Sequence, residues 1–215
     1  MVYRNQISPP APPNIPQPGM TIPGVPVPLP GTPNLTEYLE SEQLTLIGSL
    51  RQLWTQLAIW SRSLIVSTAA NLGDIQAITD RLADLPEAFA ALLGQYFEPQ
   101  EADSFRELLE EHISTLEALI TAEKNNNVQT VNQETVNLYN NASRIAAYLV
   151  SINAFWNQEQ LSDLLYDYIE MMLADLVARL EGDYTKELDI FDDLLTQALK
   201  ISDYMAQGML QRFRP

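Results

Sequence analysis

From Asn34 to the C-terminus, apolar residues recur every three or four positions, the period of helices that turn one face to a core. Leu46, Leu50, Leu53, Leu57, Trp60 and Leu64 alternate steps of four and three, a seam of bundle or coiled-coil type. Asn34 and Glu37, just after Pro33, read as an N-cap and its partner. Gly73-Asp74 is expected to end this first helix and cap the second, which carries Ile75, Ile78 and Leu82 and breaks at Pro86. Asp84 to Glu87 reads as a fresh cap for a short helix over 86–97.

Glu98-Pro99 opens a third long segment with Phe105, Leu109, His112, Leu116 and Leu119 on one face, and Asn125-Asn126-Asn127 closes it with a turn. The fourth runs to about Val150 with Leu138, Ile145, Tyr148 and Leu149 apolar. Asn157 with Gln160 caps the fifth, whose seam is Leu161, Leu165, Tyr168, Met172 and Leu176. Gly182 ends it and Asp183 starts the sixth, with Leu188, Phe191, Leu195, Leu199, Ile201, Met205 and Met209. No credible alternating strand is present.

The pattern repeats. Residues 108–113 (LLEEHI) align with 164–169 (LLYDYI), and 141–148 (NASRIAAY) with 197–204 (QALKISDY), both at an offset of 56; an offset of 55 the other way sets Leu57 opposite His112. One helix pair cannot bury its apolar stripe alone. The expectation is an all-α antiparallel bundle of about six helices over 34–215, built from three pairs of about 55 residues stacked side by side.

Residues 1–33 break this pattern. They hold 11 of the 14 prolines, no Asp or Glu, and Arg4 as the one charged side chain. Proline fixes φ and lacks the N–H, so this arm is expected to be extended rather than helix or central strand. Fully stretched at about 3.1 Å per residue, it would reach on the order of 100 Å. Unlike most linkers it interleaves apolar side chains with prolines, in IPGVPVPLP at 22–30. The segment reads either as a disordered tail or as an arm that docks on a neighbouring subunit, with Ile22, Val25, Val27 and Leu29 as the candidate partner-binding residues. A ligand for an SH3-like domain is a weaker reading, with only Arg4 for the usual basic contact.

Charge and composition narrow the chemistry. Twelve Lys and Arg against 28 Asp and Glu give a net charge of −16, which argues against a nucleic-acid partner. With no Cys there is no thiolate nucleophile, disulfide or Cys-based metal site, and one His builds no multi-His centre. Eight Gly leave little for a phosphate-gripping loop, and no Walker, GxGxxG or GxSxG motif occurs. The stretch 44–66 carries Arg51 and Arg62, so no membrane insertion is expected, and without a signal-like leader the default location is cytoplasmic, or inside an assembly built from the cytoplasm.

His112 points inward from its seam, but positions 108 and 109 are both Leu, so the Glu-x-x-His of di-iron bundles is missing. It reads as a structural histidine, with Leu57 and Tyr168 as its repeat equivalents and His112 and Tyr168 as the weak metal candidates. Asp163, Asp167, Glu170, Asp189, Asp192 and Asp193 read as a solvated face. Trp54, Trp60, Tyr96, Phe155 and Trp156 read as core or helix-end residues. No catalytic residue and no cofactor is expected.

The motifs LWTQLAIWSR (53–62), NNASRIAAYLVSINAFW (140–156), ARLEGDY (178–184) and GMLQRF (208–213) resemble those of a group of uncharacterised helical proteins from spore-forming Gram-positive bacteria. Some of these bear the label acetylglutamate kinase, which the scarcity of glycine here does not support. In that group a His stands where this chain has Leu57 and another where it has Tyr168, so the resemblance implies an inner three-His metal site of which only His112 remains.

The expected function is therefore a non-enzymatic structural or assembly protein that self-associates through the arm. The alternative is a metal- or small-ligand-binding bundle with an interior site around His112, Tyr168 and Trp54.

Overall fold

The computed structural model describes residues 41–213. The cap expected at Asn34 and the arm residues Ile22, Val25, Val27 and Leu29 lie outside the described residues.

The described chain forms seven helices: α1 (Ser41–Ala70), α2 (Ile75–Ala83), α3 (Leu85–Leu93), α4 (Pro99–Lys124), α5 (Val128–Ile152), α6 (Gln158–Glu181) and α7 (Tyr184–Arg212). Five are long, and the two nine-residue helices α2 and α3 together take the place of a sixth. The fold is an all-α bundle, with no strand among the described residues. No described helix is long and apolar enough to cross a membrane.

The 55/56-residue repeat is built into the backbone. Asn71, Asn126 and Gly182 hold the positive φ angles 52°, 55° and 79° just past the ends of α1, α4 and α6. After each, the next amide returns to a carbonyl five residues back: Leu72 to Ser67 (2.9 Å), Asn127 to Ala122 (2.9 Å) and Asp183 to Ala178 (3.0 Å). This is the Schellman closure, and its left-handed residue favours Gly or Asn. The spacings from 71 to 126 to 182 match those from Leu57 to His112 to Tyr168.

The two expected starts at Asn157 and Asp183 form, and Asn127, expected only as a turn residue, caps a third helix. The Asn127, Asn157 and Asp183 side chains accept from the amides of Thr130 (3.2 Å), Gln160 (2.9 Å) and Lys186 (3.2 Å). Glu98 and Glu101 close a capping box around Pro99. Two expectations are corrected. Asn71, not Gly73, takes the left-handed turn after α1, and Asp74 makes no side-chain cap for α2. The short helix ends at Leu93 rather than 97: Gln95 and Tyr96 fold back on carbonyls three residues earlier, and Glu98 ahead of Pro99 is extended.

The packing also differs from a row of pairs. α4 pairs with α5 and α6 with α7, α5 lies on α6 and α3 on α4, but α1 runs along α7 and touches α6 and α4 as well. The first and last pairs thus close on each other. A helix with neighbours on several sides buries a wide face at the straight-helix period. On α1 the buried stripe is Leu46, Leu50, Trp54, Leu57, Ala58, Ser61, Leu64 and Ile65, while the expected seam members Leu53 and Trp60 are half-buried. On α7 the stripe is Leu194, Ala198, Ile201, Met205 and Met209, and the expected Leu188 and Leu199 are exposed. Small residues such as Ala198, Ser202 and Ala206 face the core there, and a reading weighted to large apolar side chains passes over them.

Candidate functional site

The interior is a filled core. Tyr168 on α6, Trp54 on α1, Phe89 on α3 and Phe105 on α4 form an aromatic row with successive ring centroids 6.0, 5.7 and 5.9 Å apart. The Trp54 indole N–H points at Met205 Sδ, 3.3 Å away. The structure brings Trp54 and Tyr168 together in this row, but the Tyr168 hydroxyl is buried without a hydrogen-bond partner. Burial raises its pKa far above the ordinary tyrosine value, which opposes the deprotonation a metal ligand needs.

His112 is held apart from that row. Its Nδ1 lies 3.0 Å from Asn141 Oδ1, and Asn141 Nδ2 donates to the Leu108 carbonyl at 3.0 Å. A carbonyl only accepts, so the Asn141 amide is oriented by it, and the imidazole proton sits on Nδ1. Burial lowers the His112 pKa, against smaller opposing effects of Asn141 and Glu111, so the ring is neutral. The same device recurs one repeat on, where Gln197 Nε2 donates to the Leu164 carbonyl at 2.9 Å. These amides act as struts between paired helices. Replacing Asn141 with Leu strands the His112 ring N–H and takes the second donor from the Leu108 carbonyl, which keeps its helical bond. The expected cost is about 2 kcal/mol in denaturant unfolding, and an unchanged midpoint would refute the strut.

Among the described residues, no group of three or more His, Asp or Glu side chains is placed to hold a metal ion. Asp163, Asp167, Glu170, Asp189, Asp192 and Asp193 are all exposed, as expected of a solvated face.

The polar centre that the sequence reading missed joins α1, α6 and α7. Asp175 and Glu187 are 0 % and 1 % exposed. Arg62 and Arg179 both reach Glu187: Arg62 Nη2 donates to Oε1, and Arg179 Nη1 to Oε2 at 3.3 Å. The guanidiniums stack on Phe191 (4.7 Å) and Tyr184 (4.8 Å). Asp175 has no hydrogen bond on either oxygen, and Arg62 Nε stands 4.0 Å from it. Burial above all, then Glu187, pushes Asp175 up to about 7, against the pull of both arginines. A signal was available: Asp175 follows Met172 by three in the seam of α6, and Glu187 precedes Leu194 by seven, so both fall on buried faces.

At the other end of the bundle, the last turns of α7 meet the first turns of α1. Arg51 clamps Asp203 through Nε (2.6 Å) and Nη2 (2.7 Å), bordering a groove of about 300 Å³ whose apolar wall is Ile47, Ala206 and Leu210. Leu210 also borders an adjoining groove of about 120 Å³, lined by Leu46, Tyr96, Met209 and Phe213. Phe213 packs on Tyr96 (5.7 Å) and Phe97 (5.5 Å), and Arg212 lies 4.9 Å over Phe97. Trp156 is buried beside Gly208, whereas Phe155, expected in the core or at a helix end, is 55 % exposed at this end.

Comparison of the chain with family models, with curated proteins and with solved structures finds no match.

Proposed function

We propose that this chain is a non-enzymatic assembly protein that self-associates, its proline-rich arm docking on a neighbouring copy. The observation that carries the reading is the contrast within one chain. An arm of alternating apolar residues and prolines with no carboxylate precedes a bundle of charge −17, whose interior side chains are spent on each other. An extended proline-rich segment loses little entropy on docking, so modest contacts suffice to hold it. An arm without Asp or Glu meets no repulsion from an acidic partner surface. The interior supports this division of labour: Tyr168 is held neutral, His112 is committed to Asn141, and Leu57, the third repeat equivalent, has no donor atom.

Light scattering tests the reading. The full chain is expected to exceed the 24.2 kDa of one copy, and a chain lacking residues 1–33 is expected to run as a monomer. Monomers in both cases, or the same multimer in both, would overturn it.

A further inference from the structure

We infer that the paired groove where α7 ends against α1 is the receptor for residues 22–29 of a second copy. This inference rests on the reading of the arm given above and names its docking site.

The chemistry of the occupant selects the place. A segment such as IPGVPVPLP offers few backbone N–H groups, because each proline removes one, but keeps every carbonyl as an acceptor. Its receptor must supply apolar or aromatic walls together with side-chain donors. The grooves beside α7 have both. Ile47, Leu210, Tyr96 and Phe213 give the walls, and Gln207 and Gln211 give amide donors on the same two turns. Aromatic-lined grooves with polar rims are the general solution for binding polyproline segments.

Position adds a second argument. Forty residues precede Ser41 in the sequence, and Glu42 and Gln43 in the first turn of α1 line the smaller groove. The first turn of α1 in each copy therefore lies beside that copy's own groove. Two copies meeting at this end bring the first turn of each α1 next to the other's groove, and residues 22–29 precede that turn by only 12 to 19 positions. The exposed apolar side chains Leu44, Phe155 and Phe213 crowd the same end, ready to be covered.

Photo-crosslinking of the full chain tests this. A benzophenone amino acid is placed at position 25, and the protein is mixed with a uniformly 15N-labelled copy lacking the probe. The expected result is mixed-isotope crosslinks from position 25 to peptides spanning 207–213 or 42–51, and at least a tenfold weaker association for Leu210→Glu than for Val128→Glu. Mixed-isotope crosslinks confined to other surfaces would overturn the groove and leave self-association through the arm standing. A multimer without any crosslink from position 25 would overturn the groove as well. Crosslinks within one copy only, from a protein that scatters as a monomer, would overturn both readings.

Discussion

Gly208→Ala is expected to destabilise the protein by about 3 kcal/mol, although alanine is the better helix former. In an exposed helix the change would gain about 1 kcal/mol. Here a Cβ on residue 208 would lie 2.0 Å from Trp156 Nε1 and 2.3 Å from Cδ1. Those atoms belong to a rigid ring, itself 3 % exposed, whose N–H donates to the Met205 carbonyl at 3.2 Å. The indole cannot yield by rotating a flexible tip. It must leave its seat, giving up that hydrogen bond and its stacking on Phe97 at 6.0 Å. A lost buried hydrogen bond costs about 1–3 kcal/mol, and displacing a large aromatic residue from a core costs about as much again or more. Denaturant unfolding of Gly208→Ala, Trp156→Ala and the double variant checks the mechanism. Once the indole is gone the added methyl has room, so the two effects should fall well short of adding. A single variant within 0.5 kcal/mol of the parent would show that helix and indole do not meet this closely.

The end of α7 illustrates what a one-dimensional reading could reach. GMLQRF at 208–213 stood out as a motif, yet its purpose was hidden. Gly208 makes way for a residue 52 positions earlier, and Arg212 and Phe213 close on Phe97. Helix periods, caps and the 55/56 repeat were legible because they depend on neighbours within one or two turns, or on self-similarity along the chain. The match between Asn141 and Gln197 was visible as an alignment, but that both amides strut a partner carbonyl was not. The α7 stripe was misplaced by its small residues, which face the core because α1 and α6 both approach closely. The Arg62–Asp175–Glu187–Arg179 centre was passed over for a related reason. Charged residues on a helix are ordinarily solvated, and only the closing of α1 onto α7 takes these out of water.

That closure makes Asp175 a proton-sensitive weak point, and Asp175→Asn is expected to stabilise the protein at pH 8 by roughly 2–4 kcal/mol. Asp175 is raised from 3.8 to about 7, first by burial and next by Glu187, with Arg62 and Arg179 opposing. The folded state therefore binds a proton that the unfolded chain releases at about pH 4. Stability from this group is complete below pH 4, declines as the pH rises toward 7, and stays low above it. The asparagine side chain fills the same space and never ionises, so its advantage should open over that window and vanish near pH 4. Comparing the variant with the parent at each pH removes the general repulsion of an acidic surface, which both share. The neighbouring carboxylate should behave in the opposite way. Glu187→Gln removes the negative charge that both guanidiniums share and one of its two acceptor oxygens, so it should destabilise where Asp175→Asn stabilises. Thermal unfolding of the three proteins from pH 4 to 8 decides the matter. Parallel curves for the parent and Asp175→Asn would mean that Asp175 is ionised in the folded protein throughout, with the arginines outweighing its burial.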